Sequence, residues 1–237
     1  MSDIKENVKK SYADALKKRT QKEQAIQESC CATATAEVQK EDIIPSFGCV
    51  VSLASKANIK AGDIVVDLGS GAGHDVFEAA ELVGSEGRVI GIDFTPDMIN
   101  AALKTAAVKG FTNVDFRLSD IENISTLPDN FADIVISNCV INLSLDKEAV
   151  FKESFRVLKP GGRLVDADII AVTPLPSEIT QNPEAWCACL GGALTKEGYS
   201  EKIEKAGFEK ISITIFDTFD SLGNKFQSGI IEAYKPE

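Results

Sequence analysis

Histidine is nearly absent from these 237 residues: His74 is the single example, beside one tryptophan, two methionines and three tyrosines. The six cysteines have no C-x2-C spacing to complement that lone imidazole, so a standard structural zinc site is excluded. Basic residues are also short, 25 against 36 acidic, for a formal charge of −11. That balance lacks the positive footprint of a general nucleic-acid binder and suits an anionic membrane surface poorly. Long apolar runs are missing too. Stretches such as Ile64-Val65-Val66 end far short of the roughly 20 residues that span a bilayer. Met1 to Lys10 carries both signs of charge without an apolar segment, so no secretory leader is expected, and a cytoplasmic protein is. Thiols in that compartment are reduced by default. No internal repeat or low-complexity tract is present.

What remains is an ordinary globular composition, 44% hydrophobic and 26% charged. Residues 3–28 are polar, free of glycine and proline, and read as one or two exposed helices. Residues 29–60 are rich in small and turn residues and read as a mobile, cysteine-bearing segment. From Gly62 the pattern alternates. Strands are predicted at Ile64–Asp67, Arg88–Asp93, Asn113–Leu118, Phe131–Ser137 and Arg163–Ile170. Helices are predicted to Val83, from Pro96, over Asp146–Leu158, around Glu184–Leu194 and over Lys196–Ala206, with closing strands at Ile211–Phe216 and Gly229–Tyr234. Such alternation implies an α/β fold, a mostly parallel sheet with helices on both faces. The expected organisation is an N-terminal helical, cysteine-bearing segment over 1–60, a Rossmann-like core over 61–172, and a part over 173–237 that completes the sheet.

Asp67-Leu-Gly69-Ser70-Gly71-Ala-Gly73 closes the first strand and opens a helix. Glycines there permit a tight turn and a close ligand. A dinucleotide fingerprint would place glycine or alanine where His74 stands; His74 itself reads as a surface residue at a helix N-terminus. Asp93 ends the second strand, where a carboxylate can accept ribose hydroxyls, and Asp120 follows the third, where adenine lies in such folds. The combination resembles the class I S-adenosylmethionine-dependent methyltransferases. That resemblance implies a seven-stranded sheet with the last strand antiparallel. It also implies a cofactor site of Asp67, Gly69, Ser70, Gly71, Gly73, Asp93, Phe94, Met98, Asp120, Ile121 and Asn138.

Cys139 stands just past the fourth strand, at the carboxyl edge where ligands of open α/β sheets bind. A core cysteine is often only a small hydrophobe. Yet Cys187, Cys189, Cys49 and the pair Cys30-Cys31 add dispersed thiols that folding could gather into a soft site, and soft thiolates select thiophilic centres such as trivalent arsenic.

The stretch Asn138-Cys139-Val140-Ile141-Asn142-Leu143, with Cys189-Leu-Gly-Gly-Ala-Leu194 and Gly91-Ile-Asp-Phe-Thr-Pro-Asp-Met-Ile99, resembles the arsenite S-adenosylmethionine methyltransferase family over about residues 45–208. The resemblance implies that Cys139 and Cys189 bind arsenic, with Cys49 as a third ligand or relay and Cys187 a bystander. It implies arsenite or its glutathione conjugate as substrate. It also implies a redox role for Cys30 or Cys31, as in a transient disulfide of Cys31 with Cys49 cleared by glutathione or thioredoxin-like thiols. The family's Gly-Cys-Gly turn reads Gly48-Cys49-Val50 here. A monomer is expected. Two rivals remain: a methyltransferase for a small organic acceptor, and a thiol-based metalloid binder without turnover.

Overall fold

A computed structural model describes residues 2–29 and 52–237, and the side chains of residues 4–18 and 52–237. Cys30, Cys31 and Cys49, and most of the segment expected to be mobile, lie outside the described residues.

Seven strands form one sheet in the order β3-β2-β1-β4-β5-β7-β6. They are β1 (Ile64–Leu68), β2 (Arg88–Asp93), β3 (Val114–Leu118), β4 (Ala132–Asn138), β5 (Leu158–Ala171), β6 (Glu209–Ser221) and β7 (Asn224–Tyr234). β1 to β5 pair in parallel, and β7 runs antiparallel to both of its neighbours. The order reverses between β1 and β4, which leaves a crevice at their carboxyl ends.

The central strands β1, β2 and β4 are largely apolar runs because both faces are covered, whereas the edge strand β3 alternates. On one face Val66, Leu68, Ile90, Ile92 and Val135 pack with Val150, Phe151, Tyr199 and Ile203 of α4 (Lys147–Val157) and α7 (Lys196–Lys205). On the other, Val65, Val89, Ile134 and Ile136 pack with Val76, Ala80, Ile99 and Ala102 of α2 (His74–Val83) and α3 (Pro96–Lys109). Local chemistry sets the helix ends. Pro96 opens α3 and Gly110 closes it in the left-handed conformation. The carboxylate of Asp146 accepts from Ala149 N, 3.0 Å, at the start of α4.

Several expectations need correction. The N-terminal helix α1 (Ser2–Ser29) is single and is not merely exposed: Val8 is buried, and the helix packs against α3 and α6. The helix expected over Glu184–Leu194 stops early. Only α6 (Pro183–Cys187) forms, preceded by the short α5 (Ser177–Thr180), because Cys189 turns left-handed and Gly191 folds back against Trp186. β5 starts at Leu158 rather than Arg163, since Leu158 already pairs with Ala132. β6 and β7 extend beyond the predicted strands into a tight hairpin through Leu222 and Gly223, both at positive φ.

Candidate active site

The glycine loop lies between β1 and α2. Gly69 has φ +68, and a Cβ there would strike the Val140 side chain at 2.3 Å, so the loop is pressed against the turn that carries Cys139. Gly71 faces the other way: a Cβ on it would meet nothing within 4 Å. Its N–H donates to Asp93 Oδ2 at 2.9 Å, and Thr95 N donates to Asp93 Oδ1 at 2.8 Å. Asp93 therefore braces the loop through both of its oxygens, a role the sequence did not show. Burial pushes its carboxyl up, against those N–H bonds. Asp67 is held well above the usual carboxylate range, by burial first and then by Asp75 and Asp93. Three carboxyls around an open loop suit a ligand with cationic groups.

The remaining predicted cofactor residues are spread along the same edge. Met98 is buried, and Phe94 and Ile121 are half-buried. Ser70 turns its hydroxyl back beneath the loop, 2.7 Å from where a Cβ on Gly91 would stand. Asn138 Nδ2 donates to Asp75 Oδ2 at 3.0 Å, which ties the end of β4 to the start of α2. Asp120 pairs with Lys5 of α1, whose ammonium also reaches Glu122 at 3.0 Å. Lys17 approaches Asp97 at 3.7 Å. Hence α1 lies across the carboxyl edge of the sheet, from the end of β3 to the start of α3. His74 opens α2 with its side chain 60% exposed, as a surface residue does.

Cys139 and Cys189 meet at this edge. Cys139 N donates to Ala167 O at 2.7 Å, holding its turn on β5. The Cys189 thiol donates to the backbone carbonyl of Cys139 at 3.0 Å. Both residues are buried, 4% and 3% exposed, and both have positive φ, 62° and 60°. Left-handed backbone at two cysteines fifty positions apart marks two strained turns facing each other. Tyr12 of α1 places its hydroxyl 3.8 Å from Cys189 Sγ. Burial, with Asp168 next, pushes the Cys189 thiol far up, so it is a thiol and not a thiolate. Cys187 is half-buried and free.

Beneath the cysteines runs a buried polar group that sequence reasoning missed: Asn142, Lys147, Asp168 and Tyr199. The only signal for it in the sequence was the position of Asn142 within the stretch around Cys139.

The Methyltransferase domain family model matches residues 59–207. An arsenic(III) S-adenosylmethionine methyltransferase from Chlamydomonas reinhardtii superposes with a TM-score of 0.71 at 32% identity, over 84% of this chain and 71% of that one. The chain belongs to the arsenite methyltransferase family, within the class I methyltransferases. Curated members include the arsenite methyltransferase of Halobacterium salinarum, 39% identical over 190 residues, covering 76% of this chain and 48% of the relative. The human arsenite methyltransferase is 33% identical over 226 residues, covering 87% of this chain and 58% of the relative. The chain thus spans about half the length of the curated family members it matches.

Proposed function

We propose that this chain transfers a methyl group from S-adenosylmethionine to trivalent arsenic held by Cys139 and Cys189. One observation carries the reading. The two cysteine-bearing turns converge, thiol to carbonyl at 3.0 Å, on the face of the sheet edge where Val140 abuts the glycine loop. Thiol ligands and methyl donor then share one crevice.

The open loop at Gly71 and the carboxyls of Asp67, Asp75 and Asp93 fit a cofactor that carries a sulfonium and an ammonium. Asp93 and Asp120 would hold its ribose and adenine side, with Met98 and Ile121 as apolar walls. Bound there, the cofactor would supply an electrophilic methyl, for which the lone pair of thiolate-held arsenic is the nucleophile. Loading of arsenic follows from the neutral state of Cys189. Its S–H exchanges with an arsenic hydroxyl: the As–S bond forms, the As–O bond breaks, and the thiol proton leaves with the oxygen as water. A buried thiol needs no prior ionisation for that exchange. A nucleophile without a proton needs no general base either, so catalysis is chiefly positioning, worth about 7–11 kcal/mol at best.

Cys49 is a third ligand or relay in this proposal, and Cys30 or Cys31 is its redox partner, as in a transient Cys31–Cys49 disulfide that glutathione or thioredoxin-like thiols clear. Speciation of arsenic by mass spectrometry after incubation with arsenite, glutathione and S-adenosylmethionine tests it. Methylated arsenic is expected. Methylation of a phenolic or quinone acceptor alone would move the chain to the organic-acceptor class, and arsenite binding without turnover would make it a binder.

A further inference from the structure

Asn142 sits three residues after Cys139, at the 3-10 turn Ile141–Leu143, and is fully buried. Its Nδ2 donates to Asp168 Oδ1 at 2.8 Å, to Ile169 O at 2.7 Å and to Cys189 O at 3.1 Å. Its backbone N–H donates to the other Asp168 oxygen at 2.9 Å. Its Oδ1 accepts from the Tyr199 hydroxyl at 2.6 Å. Its carbonyl accepts from Lys147 Nζ at 3.3 Å, and that ammonium lies 5.2 Å over the Trp186 ring, just before the Cys189 turn. A Cβ on Gly192 would stand 2.0 Å from the same carbonyl, so the segment after Cys189 is packed hard against Asn142.

One side chain thus joins three elements: the Cys139 turn that carries it, the end of β5, and the Cys189 turn. Each cysteine turn has one backbone bond of its own, Cys139 N to Ala167 O at 2.7 Å and Cys189 N to Trp186 O at 2.9 Å, and neither of these bonds ties one cysteine turn to the other. We infer that Asn142 is the positioning residue that sets the spacing of the Cys139 and Cys189 sulfurs, by tying both turns to the buried carboxylate of Asp168; Cys139 is disulfide-bonded in this structure and must be reduced before it can take arsenic. The inference rests on the reading of those cysteines as arsenic ligands and goes beyond it, since Asn142 touches neither arsenic nor cofactor. Asn142 is suited to this because its two amide hydrogens serve three acceptors, one of them shared, while its oxygen accepts from one hydroxyl; a carboxylate or an aliphatic of similar size cannot do both. A misplaced thiol leaves arsenic with one sulfur fewer, and its hold on the ion then falls with each bond lost.

The test uses the full reduced chain with inorganic arsenite as probe, followed by quenching of the single tryptophan, Trp186, and by X-ray absorption to count As–S bonds. S-adenosylhomocysteine affinity and thermal unfolding are measured beside it. Asn142→Asp is expected to weaken arsenite binding by about tenfold or more and to lower the As–S count by one, with cofactor affinity unchanged. Tyr199→Phe, a milder change that removes only the hydroxyl on Oδ1, should weaken arsenite severalfold in the same direction. A folded Asn142→Asp chain with the wild-type As–S count overturns the inference, as does a loss that cofactor binding shares equally. Should Asn142→Asp not fold, an unaltered arsenite affinity in Tyr199→Phe overturns it. Cys139→Ser and Cys189→Ser separate the two levels. If neither weakens arsenite binding relative to wild type, the arsenic reading itself has failed; if both abolish it while Asn142→Asp binds arsenite as tightly as wild type, only the role of Asn142 has.

Discussion

Single residues in this site do two jobs at once, and Asp93 is the clearest case. Its oxygens hold Gly71 and Thr95, and in the proposed complex they would also accept ribose hydroxyls. Charge-assisted bonds of this kind are worth about 1.5–3 kcal/mol. Asp93→Ala is therefore expected to weaken cofactor binding in calorimetry by about ten- to a hundredfold, with arsenite binding near normal. Unchanged cofactor affinity would remove Asp93 from the site. Asp166 illustrates a cost. It is fully buried in β5 opposite Ser137, its carboxyl oxygens have no hydrogen-bond partner among the described residues, and burial, with Asp168 next, holds it well above the usual carboxylate range. The folded chain keeps a proton there that the unfolded chain releases above pH of about 4. Stability from this group is thus greatest in acid and falls as pH rises. Asp166→Asn should flatten the decline of stability as pH rises above about 4 in denaturant unfolding, and an unaltered slope would show that Asp166 ionises freely in the fold. The acids of the glycine loop were legible from sequence by their place after strands. Asn142 and Asp168 were not, because a sequence does not show which backbone carbonyls will meet.

Among the elements, α1 and the segment 183–194 decide access to the thiols. Residues 3–28 read as exposed because their apolar positions are sparse, yet Val8 and Tyr12 are enough to dock the helix, helped by Lys5 at Asp120 and Glu122. Those ion pairs are part-exposed and contribute little, about 0–1 kcal/mol, so apolar burial, with Val8 fully buried and Tyr12 half-buried, carries more of the docking. Tyr12→Ala is expected to raise the rate of alkylation of Cys189 by a small thiol reagent by about tenfold, through more frequent opening of α1. A rate equal to wild type would mean that α1 does not cover Cys189. The segment 183–194 was misread as one helix since its apolar spacing is helical. Gly191 and Gly192 break it because only a residue without Cβ fits against Trp186 and the Asn142 carbonyl. The central parallel strands β1, β2 and β4, by contrast, were legible from their doubly buried apolar runs, and the edge strand β3 from its alternation. The β6–β7 hairpin was shortened in the reading because β6 alternates with exposed polar residues such as Asp217 and Asp220.

At the scale of the molecule, the sheet reversal between β1 and β4 gathers a glycine loop, a row of carboxyls and two distant cysteines at one edge. The net charge of −11 favours approach of a cationic cofactor and places no penalty on arsenous acid, which is neutral at physiological pH. No described helix is long and apolar enough to cross a membrane. The central claim is that Cys139 and Cys189 share one arsenic beside the methyl donor. It is tested most directly by arsenite methylation in single serine variants, with folding checked by thermal unfolding. Serine is nearly isosteric with cysteine, so the buried sites should cost only about 1–3 kcal/mol. Cys139→Ser and Cys189→Ser are each expected to abolish methylation while cofactor affinity persists, and Cys187→Ser to leave methylation close to wild type. Full arsenite methylation by a well-folded Cys139→Ser chain would contradict the account.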